Sequence, residues 1–150
     1  MANEAADLEE FSRQLQKQIM EQIRRLYSPA VIDHWQNPRN FRRMENPDGY
    51  ARVKGPCGDT MEMSIKAWEN KIMECTFQTD GCGTTIACGS MASVLAKDQP
   101  LEQALDRIRS REILKKLGGL PGADAHCAEL AAETLRRSIT DCLDKKGSNP

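Results

Sequence analysis

Thr60-Met61-Glu62-Met63-Ser64-Ile65-Lys66-Ala67-Trp68-Glu69-Asn70-Lys71-Ile72-Met73-Glu74-Cys75-Thr76-Phe77-Gln78-Thr79 alternates twice around a two-residue turn. Met61, Met63, Ile65 and Ala67 fall on one side of the first half, and Glu62, Ser64 and Lys66 on the other. Past Glu69-Asn70 the alternation resumes, with Met73, Cys75 and Phe77 against Glu74, Thr76 and Gln78. Successive strand side chains point to opposite faces, so each half is a strand with one apolar and one wet face. The tight turn makes them an antiparallel hairpin. Cys75 falls on the apolar face and is expected in the core.

Upstream, residues 37–55 are rich in Arg, Asn, Pro and Gly and read as loop, with Tyr50 to Lys54 suited to a short edge strand. Ser28-Pro29 pairs an N-cap with a proline at the first helical position, so a short helix follows through Ile32 and Trp35. Downstream the pattern is helical. Thr84 or Thr85 can cap a helix through Ile86, Met91, Val94 and Leu95. Further helices follow from Pro100 and over Glu112 to Leu117. A break at Gly118-Gly119-Leu120-Pro121-Gly122 precedes a last helix from about Ala125 to Leu143, with Cys127, Leu130, Ala131, Leu135, Ile139 and Cys142 on one stripe. Strands first and helices afterwards predict an α+β fold: a small antiparallel three-stranded sheet with helices packed on one face.

Residues 5–26 form an amphipathic helix ahead of this core. Leu8, Phe11, Leu15, Ile19, Ile23 and Leu26 recur at three- and four-residue steps, with charged residues behind them. The helix lies either on the domain's own surface or against a partner or second copy of the chain. The predicted organisation is an N-terminal extension over 1–25, one domain over 26–145 and a frayed tail over 146–150.

Composition narrows the function. A net charge of -1 gives no field toward nucleic acid or an anionic membrane, and aromatics are too few for base stacking. No apolar run approaches the roughly 20 residues of a membrane span. The acidic N-terminus lacks the order of a signal peptide, so a cytoplasmic address is expected. There a disulfide framework is not expected, and no Cys-x-x-Cys is present, so the six cysteines are scattered thiols.

Three of these thiols lie at the ends of elements. Cys57 stands in Gly55-Pro56-Cys57-Gly58-Asp59, Cys82 in Asp80-Gly81-Cys82-Gly83, and Cys127 follows His126. An antiparallel hairpin sets the start of its first strand beside the end of its second, so residues 57–59 and 80–82 are neighbours. Cys82 and Cys127 are expected near helix N-termini, which favour thiolate. With Asp59 and His126 they make a donor set suited to zinc, iron or an iron–sulfur cluster. Glycines beside Cys57 and Cys82 leave the sulfurs approachable, as a site that loads and unloads requires. Each residue alone has a plainer reading: Cys127 lies on the buried stripe, Asp59 suits a turn, and His126 suits a helix start. Cys88 and Cys142 are expected to be structural.

Gly-Pro-Cys57-Gly-Asp59, Asp-Gly-Cys82-Gly-Thr-Thr-Ile-Ala and Ala-His126-Cys127-Ala-Glu-Leu-Ala resemble, in order and spacing, the iron–sulfur cluster assembly scaffolds of the IscU and NifU N-terminal type. Tyr27-Ser28, Val31-Ile32-Asp33-His34 and Asn37-Pro38-Arg39-Asn40 resemble that family's N-terminal signature. The resemblance spans about residues 26–143. It implies a scaffold that takes persulfide sulfur from a cysteine desulfurase and ferrous iron, builds a [2Fe-2S] cluster and passes it to apo-proteins, with an electron donor such as ferredoxin. By position, Cys57, Cys82 and Cys127 would ligate the cluster and Cys127 would first accept the persulfide. Asp59 would ligate zinc or iron and keep the site labile, and His126 would be an alternative ligand. Zinc would suit the cluster-free state.

The chain departs from that pattern at Leu120-Pro121-Gly122-Ala123-Asp124, where well-known members carry Leu-Pro-Pro-Val-Lys. The change speaks against docking to the dedicated Hsp70-type chaperone. Asp124 places an anion where a thiolate-favouring cation is usual, or caps the last helix. A zinc-dependent sulfur-transfer protein is the alternative reading, but that branch lacks the histidine and carries an insertion not evident here.

Overall fold

In the computed structural model, which describes residues 2–147, Glu69 and Asn70 take φ of 50° and 67°. Positive φ at both central residues is the turn that matches strand twist and closes a two-residue hairpin. Strand β2 (Thr60–Trp68) therefore pairs antiparallel with β3 (Lys71–Thr79), and β1 (Gly49–Lys54) pairs antiparallel with β2, giving the order β1-β2-β3. The fold is α+β.

One expectation about the hairpin is corrected. Ile65 pairs with Cys75 and Lys66 with Glu74, but Ala67 pairs with Ile72. This bulge leaves Met73 as the extra residue. Ile72 turns fully into the core and Met73 is 47% exposed. An extra residue on one strand reverses the alternation beyond it.

Helix α3 (Gly83–Ala96) is apolar nearly all round and is the central element, packed against β3, α2 (Pro29–Gln36) and α6 (Ala125–Gly147). Helix α6 lies along β1 and β2 on the same apolar face and continues through Gly147, past the expected end near Leu143. Of the tail read as frayed, residues 148–150 lie outside the described residues. Short helices α4 (Leu101–Arg107) and α5 (Ser110–Leu117) complete the layer. Met61, Met63, Ile65, Phe77, Leu135 and Ile139 form its centre. Cys75, Cys88 and Cys142 are buried within it, consistent with free cysteine as a small hydrophobe.

The segment read as loop has a specific task. The Phe77 N–H donates to Asn40 O at 2.9 Å and the Arg42 N–H donates to Phe77 O at 3.1 Å. Residues 40–42 thus cover the open edge of β3, which would otherwise present unpaired backbone groups. The Asn40 side chain donates to Ser93 Oγ at 3.0 Å, tying the same segment to α3.

Helix α1 (Ala2–Leu26) precedes the domain and touches only α2 to an appreciable extent. Among the described residues, no helix is long and apolar enough to cross a membrane.

Candidate metal–sulfur site

The hairpin base is closed by polar bonds. Asp80 Oδ1 accepts from the Thr60 N–H at 2.7 Å, and the Thr79 hydroxyl donates to Thr60 O at 2.7 Å. This brings the Cys57-Asp59 turn beside the Cys82 junction, as antiparallel pairing requires. The turn itself closes by Gly55 N–H to Asp59 O at 2.7 Å, with Gly58 at φ 94°, a conformation that favours glycine. Cys57 at its tip is exposed.

Cys82 is the N-cap of α3, so Thr84 and Thr85 do not cap the helix as expected. They lie inside its first turn, both buried, with their hydroxyls turned to the sulfurs. Thr84 Oγ1 is 3.1 Å from Cys82 Sγ and 3.5 Å from Cys127 Sγ. Thr85 Oγ1 is 3.8 Å from Cys82 Sγ and 3.5 Å from Cys127 Sγ, and donates to Asp59 Oδ2 at 3.0 Å. Two hydroxyls therefore join two thiols and a carboxylate from three separate parts of the chain. Serine and threonine at a helix start ordinarily cap, so only the third element, α6, reveals this second use.

The two thiols differ in acidity. Burial acts upward on Cys82, but hydrogen bonds from the Thr84 and Thr85 hydroxyls and backbone N–H groups outweigh it, and the thiol lies below its ordinary value. Cys127 is buried in the first turn of α6, and there burial prevails. The threonine hydroxyls offset part of the effect, while negative charge on Cys82 and Asp124 adds to it. The helix N-terminus alone thus does not make Cys127 a ready thiolate. His126 Nε2 lies 3.7 Å from the same sulfur.

Asp124 sits in the single 3-10 turn Gly122–Asp124 before α6 and accepts from the Tyr27 hydroxyl at 3.1 Å. Tyr27 stacks edge-on against Trp35, with centroids 6.2 Å apart, and the Trp35 ring covers Gly83. A Cβ at Gly83 would stand 2.1 Å from that ring, so only glycine lets Trp35 close over the start of α3. This aromatic brace, which sequence patterning does not single out, fixes the junction that carries Cys82.

Cys82, Cys127 and Asp59 meet through the threonines, and His126 adjoins Cys127. Cys57 is exposed at its turn. Among the described residues, no three histidine, cysteine, aspartate or glutamate side chains gather closely enough to hold a metal ion.

The profile of the NifU-like N terminal domain family matches residues 26–149. The chain belongs to that family. It is 46% identical over 123 residues to the iron-sulfur cluster assembly scaffold protein IscU 1 of Archaeoglobus fulgidus, covering 81% of this chain and 80% of the relative. It is 40% identical over 126 residues to the scaffold protein IscU of Azotobacter vinelandii, covering 81% of this chain and 97% of that one. A solved NifU-like N-terminal protein from Brucella abortus shares the fold at a TM-score of 0.64 and 16% identity, covering 80% of this chain and 96% of its own. The family match begins at Leu26, where α1 ends.

Proposed function

We propose that this NifU-like domain is a scaffold, not an enzyme, on which [2Fe-2S] clusters are assembled as cargo and from which they pass to apo-proteins. The observation that carries the reading is the meeting of Cys82, Cys127 and Asp59 on the hydroxyls of Thr84 and Thr85. It occurs in a chain whose relatives bear that scaffold's name.

The donor chemistry fits. Two irons bridged by two sulfides need four protein donors. Cys57, Cys82 and Cys127 supply three thiolates, and Asp59 or His126 the fourth. A carboxylate is a harder partner for cluster iron than sulfur, which suits cargo meant to leave. Cys57 stands exposed on its turn beside Gly58, which faces open space, and would close onto the others when iron draws it in. The same donors suit Zn²⁺ when no cluster is present. Sulfur comes as persulfide from a cysteine desulfurase. Each sulfane sulfur needs two electrons to become sulfide, so an electron donor such as a ferredoxin belongs to the partner set, in a reducing cytoplasm. The Leu120–Asp124 segment argues against an Hsp70-type chaperone among them.

Cys127 is the proposed persulfide acceptor. Its burial means that the start of α6 must first be uncovered, because attack requires an accessible thiolate. In the closed arrangement Cys82 is the more reactive thiol.

Anaerobic incubation with ferrous iron, cysteine and a desulfurase tests the reading. The expected product absorbs by sulfur-to-iron charge transfer and holds labile sulfide in near equality with iron. A colourless protein that retains zinc and passes persulfide onward refutes the scaffold reading in favour of sulfur transfer.

A further inference from the structure

Helix α1 carries an apolar stripe that no described residue of the chain covers. Leu8 is 69% exposed, Phe11 63%, Leu15 46%, Ile19 47% and Leu26 64%. A single exposed leucine requires no explanation, whereas a stripe along a 25-residue helix does. The spacing follows the period of a straight helix, so the residues stay on one side throughout.

The charges behind the stripe are segregated. Glu4, Asp7, Glu9 and Glu10 occupy the first part of the helix, and Arg24 and Arg25 the end that joins the domain. The order is also self-complementary about Lys17. A second copy laid antiparallel and centred there sets Leu8 level with Leu26, Phe11 with Ile23, and Leu15 with Ile19. Asp7 and Arg25 stand about five turns apart, so they share one flank of the helix and approach each other across the dyad. Lys17 points away from the stripe, so the two lysines at the dyad do not oppose each other.

We propose that α1 is the homodimerisation element of this chain, pairing antiparallel with α1 of a second copy about a two-fold axis at Lys17. A two-fold interface must be complementary to itself, and this helix is so in its apolar stripe and in the Asp7–Arg25 pair. A parallel pair would instead set the acidic ends together and the basic ends together, which like-charge repulsion disfavours. The antiparallel pair carries the two domains at opposite ends, outside the helical contact.

Sedimentation equilibrium of the full chain tests the proposal. The wild type is expected to be dimeric, and Leu15→Glu with Ile19→Glu to be monomeric with unchanged helical content. Asp7→Arg alone and Arg25→Glu alone should each raise the dimer dissociation constant roughly tenfold. An equimolar mixture of these two variants should recover association as a heterodimer. In that mixture, Leu8→Cys on one chain and Leu26→Cys on the other should form a disulfide, identified by peptide mass. A monomeric wild type overturns the proposal, including one that instead sediments with phosphatidylcholine–phosphatidylserine vesicles. A dimer indifferent to the α1 substitutions, or a Leu8–Leu8 disulfide in preference to Leu8–Leu26, also overturns it.

Discussion

The Thr85 hydroxyl donates to Asp59 at 3.0 Å while standing 3.5 Å from the Cys127 sulfur, so one side chain of α3 holds the hairpin turn and the last helix to the same point. Thr85→Val keeps the shape and removes the hydroxyl. It should cost about 1 kcal/mol of stability, the net worth of a hydrogen bond. Thr84→Val should raise the Cys82 thiol toward its ordinary value, because the Thr84 hydroxyl, 3.1 Å from that sulfur, favours the thiolate. Urea unfolding and thiolate ultraviolet absorbance against pH measure the two effects. An unchanged Cys82 titration in Thr84→Val would take that hydroxyl out of the site.

Accessibility sorts the six cysteines. Cys57 and Cys82 are exposed; Cys75, Cys88, Cys127 and Cys142 are buried. Burial also pushes the Cys75 thiol up to about 12 and the Cys88 thiol well above its ordinary range. Brief alkylation of the native protein should therefore label Cys57 and Cys82 alone, with Cys82 the faster near neutral pH. The other four should react only after denaturation. Rapid labelling of Cys127 in the native state would mean that the start of α6 is already open. In that case persulfide transfer to Cys127 needs no partner to uncover it.

Much of this architecture is readable from the chain, and the exceptions share a cause. The strands are visible because their period is two and their turn is short. The bulge at Lys66/Ala67 is not, because it depends on how two strands register and not on the pattern of either. Asn37 to Asn40 reads as loop because its partners, Phe77 and Ser93, are distant in sequence. Thr84 and Thr85 read as caps because capping is a local rule, while the sulfurs they face arrive from other elements. Cys127 carries two local signals, a buried stripe and a helix N-terminus, and packing decides between them. The thiols, Asp59 and His126 stand out by residue type and glycine context, whereas their distances depend on contacts between elements that no single segment encodes.

Asp59 is the oxygen donor of the proposed site and is held by the neutral Thr85 hydroxyl. Asp59→Ala removes the hard ligand and leaves the three thiolates. The cluster should then persist longer, with its transfer half-life to an apo-ferredoxin lengthened at least about tenfold, which corresponds to about 1.4 kcal/mol in the barrier. Decay of the donor's circular dichroism measures it. An unchanged half-life would take the carboxylate out of cluster release.

His34 supplies a pH dependence of stability separate from the site. Its Nδ1 lies 2.7 Å from Ser90 Oγ, and the same oxygen accepts from the Arg39 N–H at 2.9 Å. Ser90 then has its proton to give to Nδ1, which suits a neutral ring. Burial, reinforced by the Arg39 charge, holds the imidazole below its ordinary 6.5 despite the opposing pull of Asp33. The unfolded chain therefore binds a proton here at a higher pH than the folded one. The stabilisation is complete above about pH 6.5 and is lost as pH falls through the folded value, with a slope of at most about 1.4 kcal/mol per pH unit. Glu133, held below its ordinary 4.5 by the Arg136 hydrogen bond, loses its stabilisation only at lower pH, so the two windows separate. Chemical denaturation of the wild type from pH 7.5 to 5 should show the decline. His34→Gln, which can still accept from Ser90, should flatten it. A wild-type stability that stays level across this range would mean that His34 becomes charged in place.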